Sequence, residues 1–222
     1  MTTAEKLAKI AENELKVHAA GKAQGGGGSA DDNPLYYASS IACWNSAVFP
    51  DGYELKIKVK NTPTSLTSAF MYASGVKKVI LVCETSGTAS WMQVFRGCQS
   101  VEVFDVTNFN VSPTSIQHFA NNAKSLVSIL GEIDMSNCTN TGDAFKLATA
   151  FVEIRIKKGT LYLSISFANC PLLSDESVQS VIDGLADLTG GTAQKIEFHS
   201  TISAKLTDEQ YSQIMAKNWT TE

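Results

Sequence analysis

Three histidines in 222 residues leave little imidazole for acid–base catalysis or metal binding. They stand far apart, as His18, His118 and His199, and no H-x-x-x-H, H-E-x-x-H or G-x-S-x-G spacing occurs. No carboxylate pair sits in a distinctive apolar setting, so an enzyme is not expected. Five cysteines (Cys43, Cys83, Cys98, Cys138 and Cys170) lie at least 15 residues apart with no C-x-x-C pair. That pattern speaks against a zinc knuckle, a redox pair or a disulfide scaffold, and the thiols read as reduced, buried core fillers. No metal or cofactor is expected. Lys and Arg number 18 against 22 Asp and Glu, for a net charge of -4, which argues against nucleic acid as the main partner. No run approaches the roughly 20 apolar residues of a membrane span, so no membrane insertion is expected. Glu5, Lys6, Lys9, Glu12, Glu14 and Lys16 interrupt any secretory h-region near the start.

Residues 2–20 read as a helix within an arm over residues 1–24. Thr2 and Glu5 form a capping box, Glu5/Lys9 and Glu12/Lys16 are favourable i,i+4 pairs, and Gly21 supplies a stop. The thin apolar stripe of Leu7, Ile10, Ala11 and Val17 suits docking or self-association, because a lone helix of this length is marginal in water. Residues 25–33 then form a Gly-rich linker that decouples arm from body. The same Gly-Gly-Gly-Gly-Ser string also serves as an engineered linker. Residues 34–60 read as an N-terminal β cap. In it Tyr53, Leu55, Ile57 and Val59 alternate with Glu54, Lys56, Lys58 and Lys60, as in a half-buried strand whose lysines guard an edge.

Over residues 61–173 a period emerges. Phe70, Phe95, Phe119, Phe145 and Phe167 recur at spacings of 25, 24, 26 and 22, followed by F-x2-[small]-x2-φ-x2-φ-x-φ, where φ is apolar. Each unit reads as a turn or short helix carrying Phe, then a short strand, and units must stack to share a core with a phenylalanine column. Cys98 and Cys170 fill the same small slot, with no base placed to make either a catalytic thiol. Phe104-Asp105-Val106-Thr107-Asn108 and Ile133-Asp134-Met135-Ser136-Asn137 share a φ-D-φ-[ST]-N turn. Two aspartates fall short of typical calcium ligation. Residues 174–222 read as an α/β C-terminal cap. Ser174 caps a helix to about Leu188, residues 195–199 form a strand, and Thr207 with Gln210 opens a last helix burying Tyr211, Ile214 and Met215. The fold expected is an α/β leucine-rich-repeat solenoid with an N-terminal helix.

The units resemble BspA-like leucine-rich repeats of bacterial surface and phage proteins. The resemblance rests on Phe95-Arg96-Gly97-Cys98-Gln99-Ser100-Val101, the two D-φ-[ST]-N turns and Phe167-Ala168-Asn169-Cys170-Pro171-Leu172-Leu173-Ser174. Met1-Thr2-Thr3-Ala4-Glu5-Lys6-Leu7, Ile10-Ala11-Glu12-Asn13-Glu14 and the closing Ala204-Lys205-Leu206-Thr207-Asp208 and Ala216-Lys217-Asn218-Trp219-Thr220 resemble the ends of tail-associated structural proteins of Firmicutes phages and prophages. The glycine linker and a first unit lacking the Cys slot depart from the pattern. The resemblance supplies no catalytic residues.

It implies a virion structural protein, made in a bacterial cytoplasm, with a tail-fibre or baseplate position. The arm would contact other virion proteins or make a homo-oligomer, and the body would meet a host surface protein or glycan. The alternatives are a bacterial surface adhesion protein and a capsid-attached decoration or head fibre. Tyr36, Tyr37, Trp44 and Trp91 are the aromatic candidates for partner contact. Packing of Tyr37 and Trp44 in the N-terminal cap, and of Trp91 one turn before Phe95, is the favoured reading, since large aromatics are mostly buried.

Overall fold

The computed structural model describes residues 35–37, 44–59 and 61–221. The arm residues Leu7, Ile10, Ala11 and Val17, the glycine linker and Cys43 lie outside them. Strands β1 (Leu35–Tyr37), β2 (Val48–Lys58), β3 (Ser74–Ser90), β4 (Val103–Ser115), β5 (Ser128–Ile133) and β6 (Glu153–Ile156) make one six-stranded sheet in that order, all parallel. Strands β7 (Ile165–Phe167), β8 (Gln194–Phe198) and β9 (Trp219–Thr220) make a second parallel sheet. Helices α1 (Asp175–Gly184), α2 (Ser200–Ser203) and α3 (Asp208–Ala216) all lie in the C-terminal part.

This arrangement overturns the leucine-rich-repeat solenoid expected from the period. The class is still α/β, but it is a parallel sheet with a smaller second sheet and few helices. Parallel strands are usually joined through helices. Here the connectors from β2 to β6 contain none, because they carry left-handed residues that an α-helix cannot hold. Ser68 and Tyr72, Gln93 and Gly97, His118 and Asn122, and Asp143 and Leu147 are such pairs, four residues apart, with φ between 52° and 67°. Their amides bond sideways to the next connector: Phe70 N–H to Val94 O at 2.9 Å, Phe95 N–H to Phe119 O at 2.8 Å, Ala120 N–H to Ala144 O at 2.7 Å. Nor are all the strands short, since β3 runs 17 residues and β4 13. The first φ-D-φ-[ST]-N segment lies inside β4 rather than joining units.

Strand β2 is not an edge, because β1 flanks it on one side and β3 on the other. Its lysines are tolerated at an interior position because they face outward, where Lys58 Nζ meets Glu84 Oε1 at 2.9 Å. The inward row Leu55–Val79–Phe104–Ile129 is fully buried and in register from β2 to β5. The phenylalanine column is present and longer than five rings. Trp44 stacks on Phe70 at 5.5 Å, Phe70 on Phe95 at 5.5 Å, then come Phe119, Phe145, Phe167 and Phe198 with centroids 4.9–6.2 Å apart. Cys83, Cys98, Cys138 and Cys170 are free and buried. The Cys98 thiol donates to Ala73 O at 3.1 Å, and burial pushes the Cys170 thiol up to about 12.

At the C-terminal side the local signals act as read. Ser174 Oγ accepts from Ser177 N–H at 3.1 Å, and Thr207 and Gln210 complete a reciprocal capping box. Helix α1 stops at Gly184 rather than near Leu188, because Leu185 turns extended to bridge Leu161 and Ala186 N–H bonds Leu161 O. In α3 Ile214 is buried, but Met215 is 62% exposed and Tyr211 half-buried, so the expected three-residue face reduces to one anchor. Helix α1 also covers the free edge of β6. Ser177 Oγ accepts from Ile154 N–H and Ser180 Oγ from Ile156 N–H, both at 3.0 Å, so the edge amides are bonded. Among the described residues no helix is long and apolar enough to cross a membrane.

Candidate functional site

The outer face of the large sheet follows from strand alternation. Shifting one residue from the buried row reaches Lys56–Ile80–Asp105–Leu130, which are Cα partners across β2 to β5. Beside it runs Glu54–Lys78–Val103–Ser128–Glu153 across β2 to β6. Strands lie roughly 4.8 Å apart, so each row spans some tens of ångströms at most and presents its side chains at fixed intervals. Ile80, Val82, Val103 and Leu130 are half-buried aliphatics with water on one side. Charges alternate with them.

Much of that charge is paired across strands. Lys58 holds Glu84 at 2.9 Å, and this hydrogen bond keeps the Glu84 carboxyl below the usual glutamate range. Lys78 Nζ lies 3.8 Å from Asp105 Oδ2 and Lys77 pairs with Glu102, while within β6 Arg155 lies 3.8 Å from Glu153. A surface of aliphatic rows bracketed by ion pairs is suited to shape and charge recognition.

The aromatic candidates do not gather there. Trp91 is 2% exposed, packed against Phe104, Phe109 and Phe119, so it presents no ring to a partner. Its Nε1–H has no hydrogen-bond acceptor, and its ring stands edge-on to Phe104 at 78°. Trp44 is half-buried on Phe70 with the ring planes only 3° from parallel. The backbones of Tyr36 and Tyr37 form β1, and their side chains lie outside the described residues, as do Leu7, Ile10, Ala11 and Val17. An interior void of about 10 Å³ beside Trp91, Ile116, Phe119 and Met135 is lined by apolar side chains alone and is no larger than one water.

Titratable groups are similarly dispersed. His118 Nδ1 lies 3.2 Å from Asn121 Nδ2 and 3.8 Å from Asp143, whereas His199 Nδ1 accepts from Thr201 N–H to cap α2. Asp105 and Asp134 each accept from the amide two residues on, Thr107 at 3.1 Å and Ser136 at 3.0 Å. Burial works upward on Asp134, but bonds from Lys157 and Ser136 hold it below the usual aspartate range. Among the described residues no group of three or more His, Cys, Asp or Glu is placed to hold a metal ion.

Sequence reasoning missed one recurrent polar slot. Ser65, Ser90, Ser115 and Asn140 each accept a bond from the amide two residues on, fixing the start of the connector. Reading the period four or five residues upstream of Phe70, Phe95, Phe119 and Phe145 exposes it. The outer rows were missed because their register depends on cross-strand pairing. No protein-family model, curated protein or solved structure matches this chain.

Proposed function

We propose that this chain is a structural, partner-binding protein of a bacteriophage particle. In this reading it is a tail-fibre or baseplate-associated appendage whose sheet body meets a host surface protein or glycan. Residues 1–24 join it to other virion proteins or to further copies of itself. The observation that carries the binding half is the outer sheet face, where Ile80, Val82, Val103 and Leu130 stand half-buried among ordered charges. Rigid backbone on both sides of each row makes such a face pre-organised, so little ordering entropy opposes association. The virion half is supported by the resemblance of both chain ends to tail-associated proteins. The chemistry is recognition without turnover.

Particles purified from the host strain that carries the gene test this reading by mass spectrometry. The expected result is the intact chain in stoichiometric, not trace, amount, lost from the particle when residues 1–24 are deleted. Particles free of the chain would end the proposal.

A further inference from the structure

We propose that the connector before β3 carries a carbohydrate-binding platform centred on Tyr72, a site apart from the outer sheet face. Three observations meet at this residue. Its side chain is 52% exposed although it is large and aromatic. Its backbone is left-handed, at φ 57°, a conformation that bulky residues rarely adopt. The matching positions on the next two connectors are Gly97 and Asn122, residue types that accept this backbone readily. Leu147, at the matching position one connector further on, shares the left-handed backbone and the exposure, so what sets Tyr72 apart is an aromatic ring.

The ring is also seated. A Cβ on Gly97 would stand 2.2 Å from Tyr72 Cε1, so the ring lies directly on the bare glycine backbone. Tyr72 N–H bonds Arg96 O at 3.0 Å and Gly97 N–H bonds Asn121 O at 2.8 Å, which locks the adjoining connectors in step. Arg96, Gln93, Asn121 and Asn122 on those connectors are half-exposed, planar hydrogen-bonding side chains. A supported aromatic face on connectors that also carry amides and a guanidinium suits a pyranose ring. The sugar's C–H face carries slight positive charge toward the π cloud, and its hydroxyls exchange bonds with amide and guanidinium groups. A purely apolar peptide side chain would leave those polar groups unused.

The inference rests on the binding reading above, and it fails separately from it, because particle composition does not depend on Tyr72. The full chain is tested on immobilised glycans ending in hexose, N-acetylhexosamine or deoxyhexose. At least one class is expected to retain the chain. Tyr72→Asn should weaken retention about tenfold or more, with a melting temperature unchanged or raised, since Asn fits the left-handed backbone. Gly97→Ala, whose new Cβ displaces the ring, should weaken it too. Absence of retention by every glycan class, or equal retention of Tyr72→Asn, overturns the proposal.

Discussion

Phe119 sits fourth in a run of seven contacting rings, 1% exposed, edge-on to Phe95 at 5.5 Å and to Phe145 at 6.2 Å. Truncation to alanine removes the ring from both neighbours and opens a void that the bonded connectors cannot close. Phe119→Ala should therefore cost on the order of 3–5 kcal/mol in urea unfolding, and a change under about 0.5 kcal/mol would mean that the column does not hold the body together. Leu147 poses the opposite case. It is 43% exposed and left-handed at φ 59°. Leu147→Asn should raise stability by about 1 kcal/mol, read as a melting point roughly 2–4 °C higher. At this scale the sequence was legible where a side chain answers to burial, as for the phenylalanines and the buried cysteines. It was opaque where backbone strain decides, because Ser68, Tyr72, Gln93, His118, Asp143 and Leu147 carry no glycine-like signal.

Among the elements, α1 does two jobs, and only one is visible in its own residues. Its capping serine and apolar face announce a helix. Its role as cover for β6 depends on Ser177, 2% exposed, receiving the Ile154 amide at 3.0 Å. Ser177→Ala leaves that buried amide without an acceptor, at a cost of about 1–3 kcal/mol, and amide exchange at Ile154 should accelerate ahead of its neighbours. Unchanged exchange there would show that the serine does not protect the edge. The connectors teach the same lesson. Their period is legible in the phenylalanine spacing, but their non-helical path depends on bonds to carbonyls about 24 residues away. The same holds for the stretch Glu84-Thr85-Ser86-Gly87-Thr88 of β3. It is strand because Gly87 and Thr88 pair with Val111 and Ser112 on β4.

For the whole molecule, two parallel sheets, an aromatic column and bonded connectors give a stiff body with side chains set out in rows. The outer face of the large sheet carries half-buried aliphatics at Ile80 and Leu130, and neither is part of the buried row beneath. Their replacement therefore separates recognition from folding. The most direct measurement is host adsorption by particles carrying the double variant Ile80→Asp and Leu130→Asp, with incorporation checked in the same preparation. Adsorption should fall at least about tenfold at normal incorporation, since two buried charges at a contact oppose binding strongly. Unaltered adsorption by fully loaded variant particles would contradict the assignment of this face.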